Sequence, residues 1–221
     1  MNEDIWIIIP AYNEEKNIGK VIDKTKEYVK NIIVADDGSR DDTARIAKEK
    51  DVIVLKHIVN LGKGAVLKTG CEYALKKGAK IIIAIDADGQ HDPAEIPKFI
   101  DAIKEDNDIV FGYREFTKEM PFVLKIGNLF INGVSSLLFG IKIKDTQCGY
   151  RAFTADAYKN IKWEAQDYYV ESEMIINAGK KKLKYKEVPI QTIYQDRYKG
   201  TIFIDGIKIV LKMIGWKITR W

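Results

Sequence analysis

The sequence predicts an α/β domain built on a mostly parallel sheet that is flanked by helices. Short β-branched runs alternate with stretches of helical periodicity through the first half of the chain, and these runs are apolar on both faces. Strands of this kind are typical of parallel sheets covered by helices. The 221 residues, 46% of them hydrophobic, suffice for one substantial core and are few for two independent domains.

Five β-branched runs are predicted as strands of this sheet: residues 5–9, 31–35, 52–55, 80–85 and 108–111. Apolar residues at helical spacing from Ile18 to Val29 predict the first crossover helix, with Asn13 as its cap. Glu14 and Glu15 are expected to complement the dipole of that helix. A second helix is expected to start at Asp41 or Asp42.

A third helix is predicted over residues 64–77, and a fourth has Pro93 or Pro97 in its first turn. After residue 112 the alternation ends. Residues 121–141 are expected to form an interfacial or buried helical pair rather than a membrane span, because Lys125, two asparagines, two serines and three glycines interrupt the apolar run. A polar turn at 145–149, a helix at 169–179 and a strand at 184–190 follow.

Residues 201–221 have the pattern of an amphipathic helix. Apolar residues such as Phe203, Leu211 and Ile218 share a broad face, and Lys208 and Lys212 lie opposite them. This helix is expected either to cover the core or to lie on a bilayer.

Composition excludes several classes of function. Lysine and arginine exceed aspartate and glutamate by only 36 to 32, which is too small a surplus to define a nucleic-acid-binding face. Cys71 and Cys148 are far apart and lack metal-ligand spacing, so neither a zinc site nor a disulfide framework is predicted. With no export signal visible, we expect a reduced, cytoplasmic protein.

Polar segments follow three of the predicted strands at the edge where open parallel sheets bind ligands. The three segments are rich in side chains that carry oxygen atoms. They are residues 10–14 (PAYNE), 36–39 (DDGS) and 86–91 (DADGQH). Each alone is also an ordinary turn or helix start. In this order and spacing, with residues 60–64 (NLGKG), 109–114 (IVFGYR) and 145–151 (DTQCGYR), they resemble the family 2 glycosyltransferases of the GT-A fold over nearly the whole chain.

Within that family, residues 86–91 and 145–149 look like those of the synthases that load mannose or glucose onto dolichyl or other polyprenyl phosphates. The resemblance implies one GT-A domain over residues 1–221. Residues 1–115 would form the nucleotide-sugar half, 116–200 the acceptor half and 201–221 the amphipathic helix. It also implies a GDP- or UDP-sugar donor such as GDP-mannose or UDP-glucose, Mg²⁺ or Mn²⁺, and transfer with inversion.

The resemblance also implies roles for residues of the donor site. Asp88 would be the main metal ligand, assisted by Gln90, because hard cations prefer oxygen ligands and neutralise a diphosphate leaving group. Asp86 would contact the nucleotide sugar, and Asp37 the nucleobase or ribose. The other expected nucleotide-sugar contacts are Pro10, Tyr12, Glu14, Ala35, Lys63, Ala87 and Arg197.

Lys63 stands at the start of a helix between two glycines, where it either contacts a phosphate or simply begins the helix. Arg114 is expected to bind the acceptor phosphate, with Lys125 as a second candidate. Near the end of the chain the resemblance loosens, since Phe203 occupies the position where the mannose synthases carry a closing lysine. Arg197, Lys199 or Lys208 would then take that task.

The acceptor class follows from what the sequence offers as a base. Its only histidines are His57 and His91, and a phosphate acceptor needs no strong base because it is already ionised near neutral pH. If the acceptor were instead a hydroxyl of a glycan or lipid, Glu171 or Glu173 would be the base to suspect. A non-catalytic module that binds nucleotide sugars is the other alternative. For a polyprenyl acceptor we expect peripheral membrane contact through 121–141 and 201–221.

Overall fold

The computed structural model describes residues 4–114, 122–167, 169–191, 193, 211, 213–215 and 217–219. Seven strands form a single sheet: β1 Ile5–Ala11, β2 Asn31–Asp36, β3 Ile53–Lys56, β4 Ile81–Ala84, β5 Ile109–Arg114, β6 Arg151–Thr154 and β7 Tyr185–Ile190. Their order across the sheet is β3-β2-β1-β4-β6-β5-β7. All six strands predicted from the sequence are present. Five lie within two residues of their expected bounds, and β5 extends three residues beyond its expected end, to Arg114.

The seventh strand, β6, was not predicted, and it is the one that runs antiparallel to its neighbours β4 and β5. The remaining pairs are parallel, so the expected mostly parallel sheet is confirmed. Only four residues long, β6 begins at a buried arginine, Arg151, which hides the apolar pattern by which the other strands are recognised.

In the part of the chain up to residue 191 that the structure describes, seven α-helices flank the sheet: α1 Ile18–Lys26, α2 Thr43–Glu49, α3 Lys63–Lys76, α4 Ile96–Lys104, α5 Phe122–Phe139, α6 Ala155–Ile161 and α7 Val170–Lys180. As expected, Asp42 is the cap residue of α2, and Pro97 lies in the first turn of α4. Pro93 begins a separate short 3-10 helix, Pro93–Glu95.

The predicted start of α1 was wrong. Asn17, not Asn13, is the residue that precedes the helix, and the first turn contains no acidic residue, so Glu14 and Glu15 do not complement its dipole. Asn13 has a left-handed backbone with φ of 55°. Its carboxamide oxygen accepts a hydrogen bond from the backbone N–H of Arg40, 3.0 Å away. Asn13 therefore ties the end of β1 to the turn after β2, a role that its spacing from the helix does not reveal.

The core has two layers, one on each face of the sheet. Ile7 and Ile9 of β1 pack in the layer that contains residues of α1 and α4, and Trp6 and Ile8 pack in the layer with α3, α6 and α7. Each of these four side chains is buried. β1 is therefore covered on both faces, as its unbroken apolar run predicts.

Residues 122–139 form one helix, α5, rather than the predicted helical pair. Gly133 lies inside this helix, and Gly140, with φ of 69°, follows its end. Single glycines are tolerated in helices, so the helix continues through Gly133 and ends before a glycine whose backbone is left-handed. In the part of the chain that the structure describes, no helix combines the length and apolarity that crossing a membrane requires.

Gly70 sets how closely α3 approaches β1. A Cβ atom at this position would lie 2.5 Å from Cγ2 of Ile8. We expect Gly70→Ala to lower the free energy of unfolding by about 1–3 kcal/mol, because the buried Ile8 must shift. Gly133→Ala is the matched control, since nothing lies within 4 Å of its added Cβ; it should instead raise stability by about 0.5–1 kcal/mol. Urea unfolding measures both, and an unchanged stability for Gly70→Ala would contradict the close packing.

Candidate functional site

The predicted ligand-binding residues gather where β1, β2 and β4 end. Asp86 and Asp88 directly follow β4, and Tyr12 and Asp37 follow β1 and β2. These three strands are adjacent and parallel, so their carboxyl ends share one edge of the sheet. Tyr12 is 42% exposed at this edge. The structure thus brings together side chains that lie more than 70 residues apart in the sequence.

A lysine bridges two carboxylates at the centre of this edge. The ammonium of Lys63 lies 2.6 Å from Oδ1 of Asp86 and 2.8 Å from Oε1 of Glu171. Burial works against the charged ammonium, but the two carboxylates outweigh it and raise the pKa of Lys63 above its usual value. Burial likewise opposes ionisation of Asp86, and Lys63 holds the pKa of that carboxyl below its usual range. The three groups form a charged cluster, hereafter the Lys63 bridge.

The backbone around Lys63 explains why its side chain reaches this position. A Cβ on Gly62 would lie 2.3 Å from the carbonyl oxygen of Gln166, and one on Gly64 would lie 2.1 Å from that of Ala165. The indole N–H of Trp163 also donates to the Gly64 carbonyl at 2.8 Å. The start of α3 therefore packs backbone to backbone against residues 163–166. This contact requires the two glycines that flank Lys63.

Glu173 fixes the other side of that contact. Its Oε2 accepts hydrogen bonds from the backbone N–H groups of Glu164 and Ala165, at 3.1 and 2.8 Å. The side chain is buried, and it orders the segment against which α3 begins. Of the two glutamates singled out as candidate bases, Glu173 therefore has a structural role and Glu171 belongs to the Lys63 bridge.

The backbone of Gly149 packs directly against the Lys63 bridge. A Cβ at this position would lie 2.5 Å from Oδ2 of Asp86 and 2.9 Å from the Lys63 ammonium. The segment preceding β6 thus approaches the charged cluster as closely as a backbone can. The sequence places Gly149 in a motif but gives no sign of this packing.

Asp88 differs from Asp86 in its environment. Burial, followed by the nearby charge of Asp86, raises the pKa of Asp88 to about 6. Its Oδ1 accepts a hydrogen bond from the backbone N–H of Gln90 at 2.9 Å. A carboxyl group whose ionisation is disfavoured by burial and by a neighbouring negative charge is stabilised in its charged form by a nearby cation.

The oxygen donors present fit a hard divalent cation. Among the described residues, no three histidine, cysteine or acidic side chains are placed to enclose a metal ion. Mg²⁺ is commonly held by only one or two carboxylates, with water and substrate phosphates completing its shell. Asp86 and Asp88, with Gln90 beside them, supply such a set.

Asp37 is engaged by the loop that follows β3. Its carboxylate accepts hydrogen bonds from the backbone N–H groups of Leu61 and Gly62, at 2.9 and 2.7 Å, and lies 2.8 Å from Nδ1 of His57. Asp37 is only 2% exposed. It therefore organises the loop that leads to Lys63, and its contact with a nucleoside remains a prediction.

The remaining donor-side residues lie where the strand ends place them. Pro10 lines a small cavity next to Lys63 and Asp86. Ala35 and Ala87 are buried. The backbone N–H of Glu14 donates to Oγ1 of Thr43 at 2.8 Å, which joins the end of β1 to α2. Their contacts with a nucleotide sugar stay predictions.

Arg114, at the end of β5, makes a bidentate ion pair. Its Nε and Nη2 donate to the two oxygens of Asp145 at 2.6 and 3.0 Å. Asp145 is 1% exposed and the Arg114 side chain 15% exposed. The sequence marks both residues without revealing that they pair. Asp145 orients the guanidinium, which keeps part of its surface open at the same edge as the Lys63 bridge.

Arg151 is a further residue of the site, for which the sequence predicts no role beyond its place in the motif at 145–151. It is 2% exposed and donates to the backbone carbonyls of Cys148, Glu171 and Thr146 at 2.9, 2.6 and 3.0 Å. It thereby joins β6, the segment before it and α7. A charged residue at the start of a buried strand is the one sequence signal that could have identified it.

Two predicted site residues cannot be placed. Arg197 lies outside the described residues, as do Lys199, Phe203 and Lys208. Lys125 belongs to α5, but its side chain lies outside the described part of that helix.

Comparison with known proteins gives a consistent picture. The profile of glycosyl transferase family 2 matches residues 6–162. An uncharacterised protein of Methanocaldococcus jannaschii is 44% identical, over 98% of this chain and 93% of its own. The UDP-N-acetylglucosamine–dolichyl-phosphate N-acetylglucosaminyltransferase of Methanococcus voltae is 39% identical, over 98% of this chain and 97% of its own.

The fold is also similar to that of a solved enzyme. Glucosyl-3-phosphoglycerate synthase from Mycobacterium tuberculosis, crystallised with Mn²⁺ and UDP-glucose, superposes with a TM-score of 0.74. It is 22% identical in sequence, over 96% of this chain and 79% of its own. At this identity the likeness establishes the shared GT-A architecture.

Proposed function

Because the chain belongs to glycosyl transferase family 2, we propose that this glycosyltransferase moves one sugar from a nucleotide sugar to a polyprenyl phosphate, with a divalent cation and with inversion. The observation that carries the proposal is the grouping of Asp86, Asp88, Lys63 and Arg114 at one edge of the sheet. A transfer between two phosphate-bearing substrates would require such a combination of anionic and cationic side chains. The methanococcal relative that acts on dolichyl phosphate supports the acceptor class.

The donor side is formed by Asp86, Asp88 and Gln90. A divalent cation bound there supplies charge neutralisation of the nucleoside diphosphate as the glycosidic bond breaks. Asp88 and Gln90 would hold it through oxygen atoms, and Asp86 would contact the nucleotide sugar. Lys63, fixed at the start of α3, adds a positive charge beside the diphosphate.

The acceptor side is formed by Arg114. Its guanidinium is oriented by Asp145 and its side chain is 15% exposed at this edge, where a guanidinium is suited to donate to a phosphate. The acceptor phosphate is ionised near neutral pH, and its oxygen attacks the anomeric carbon without a protein base. The structural role of Glu173 and the engagement of Glu171 by Lys63 agree with this.

One assay tests the function directly. The protein is incubated with UDP- and GDP-sugars, including UDP-glucose, GDP-mannose and UDP-N-acetylglucosamine, with Mg²⁺ or Mn²⁺ and a short polyprenyl phosphate. We expect one donor to give an acid-labile sugar phosphodiester, and no turnover in the presence of EDTA. An acid-stable glycoside would instead indicate a hydroxyl acceptor, and turnover that EDTA leaves unchanged would contradict the cation requirement.

Asp88→Asn should lower transfer at least a hundredfold, because it removes a charge from the proposed cation site without changing volume. It should not lower the melting temperature of the cation-free protein, since burial and Asp86 both disfavour the ionised carboxyl. Steady-state turnover and thermal melting measure the two effects. Asp156→Asn, at an exposed ion pair on α6, is the control. Transfer within a few-fold of wild type would remove Asp88 from the site.

Arg114→Lys should reduce kcat/KM for the lipid acceptor at least tenfold while leaving nucleotide affinity within twofold. Lysine keeps a positive charge beside Asp145, so the buried carboxylate is not left uncompensated, but it cannot reproduce the two-pronged geometry of the guanidinium. Arg45→Lys, on the exposed face of α2, is the matched control. An equal loss of nucleotide affinity would assign Arg114 to the donor site.

We also propose that the protein contacts the bilayer on the cytoplasmic side through residues 121–141, which include α5, and through residues 201–221. α5 exposes Leu129, Phe130 and Leu137, the last to 84%. The described residues near the carboxyl end pack along it, since Met213 contacts Ser135, and they expose Leu211, Ile214 and Ile218. Asn132 of α5 accepts a hydrogen bond from the N–H of Thr146 at 3.1 Å, so this apolar surface adjoins the segment that holds Asp145.

A liposome flotation assay tests the surface. The double variant Leu137→Ser/Ile218→Ser should lose at least half of its binding to anionic vesicles, because it removes two apolar side chains that are 84% and 78% exposed. Ile58→Ser/Val59→Ser is the matched control, since those side chains are 99% and 58% exposed in the loop after β3. Binding by wild type should be removed by carbonate at high pH. Equal loss in the two double variants would refute this assignment of the surface.

A further inference from the structure

The Lys63 bridge contains an ammonium where the proposed cation would act. Lys63 contacts Asp86 at 2.6 Å, and Asp86 is one of the two carboxylates proposed to serve the cation and the donor. Two positive charges cannot both lie against one carboxylate oxygen without strong repulsion. A divalent cation held by Asp88 and Gln90, two and four residues further along the chain, would therefore compete with Lys63 for the negative charge of Asp86.

Glu171 offers Lys63 a second place to bind. Its Oε1 already lies 2.8 Å from the ammonium. Among the residues that the structure describes, its buried Oε2 has no hydrogen-bond partner. A buried carboxylate oxygen without a hydrogen bond is costly in free energy. A hydrogen bond from the Lys63 ammonium to this oxygen would therefore be favourable once the ammonium turned away from Asp86. A small cavity bordered by Lys63, Asp86 and Glu171 adjoins the ammonium.

The surroundings keep Lys63 from leaving the site. Its backbone is locked by the contact of Gly62 and Gly64 with residues 165 and 166, and its side chain is 18% exposed. Glu171 is itself held in place, because Arg151 donates to its backbone carbonyl at 2.6 Å. Only the end of the lysine side chain is left to move.

From this geometry we propose that Lys63 is the resident counter-ion of Asp86 in the donor-free enzyme, and that Glu171 is the positioning residue that retains Lys63 when a divalent cation takes its place. The proposal rests on the cation requirement of the proposed function. Its consequence is that the donor-free enzyme binds the cation weakly, since displacing Lys63 from Asp86 costs free energy. A diphosphate, which attracts both positive charges, strengthens that binding.

Mn²⁺ binding, followed by the electron paramagnetic resonance signal of free Mn²⁺, tests the proposal without any turnover. In the absence of nucleotide, Lys63→Gln should bind Mn²⁺ about tenfold more tightly than wild type, because the competing charge is gone. Glu171→Gln should bind it at least threefold more weakly, because Lys63 then depends on Asp86 as its ionic partner. Lys80→Met, which removes an exposed ion pair with Asp4 at the opposite end of β4, should change nothing.

The opposite directions are decisive, because a purely structural loss would weaken binding in both variants. Unchanged or weaker Mn²⁺ binding by Lys63→Gln, or tighter binding by Glu171→Gln, would overturn the proposal. Thermal melting identifies an unfolded variant, and if Lys63→Gln is unfolded, Lys63→Met, which also removes the charge, replaces it and is expected to bind Mn²⁺ more tightly than wild type. Wild type that binds no Mn²⁺ even with UDP or GDP would overturn the cation requirement itself. Wild type that binds Mn²⁺, with variants that do not differ from it, would overturn only the role of the Lys63 bridge.

Discussion

The backbone contact between the start of α3 and residues 163–166 is the constraint on which the site depends. It needs two glycines, Gly62 and Gly64, because any Cβ there would overlap a carbonyl oxygen. It also needs Glu173, which saturates the backbone N–H groups of the opposing segment. Through this contact residues 163–166 fix the direction of Lys63, which lies about a hundred residues earlier in the chain. The two parts of the chain therefore meet at the edge of the sheet that carries the Lys63 bridge.

The electrostatics of the edge follow from that constraint. Lys63 compensates Asp86 and Glu171, and Arg114 compensates Asp145. Among the described residues no ion pair is found at Asp88, whose pKa is raised to about 6 by burial and by Asp86. Removing one member of a buried ion pair leaves the other charge buried without compensation, which is costly. Adding a cation beside a carboxylate that lacks an ion pair stabilises that carboxylate. The site is thus stable without a ligand and still attracts positive charge at Asp88.

Sequence patterns predicted the strands well because each is a continuous apolar run, and the shared edge followed because parallel strands end together. They failed where a residue acts through a distant partner. Asn13 has the position and chemistry of a helix cap, yet it binds the turn after β2. The short β6 was missed because Arg151, which joins three backbone carbonyls, interrupts its apolar pattern. The sequence could not distinguish a phosphate contact from a plain helix start for Lys63, because its two carboxylate partners lie 23 and 108 residues further along the chain.

The same distinction applies to the two sides of the proposed site. The proposed donor side is built on strand ends, so Asp86 and Asp88 could be recognised from sequence spacing. The proposed acceptor side relies on one strand end, Arg114, oriented by an aspartate that approaches from a loop. Asn132 ties that loop to α5, whose exposed apolar face suits a lipid chain. An enzyme whose acceptor stays in the membrane needs this coupling, because the surface that meets the bilayer must also hold the residue that meets the phosphate.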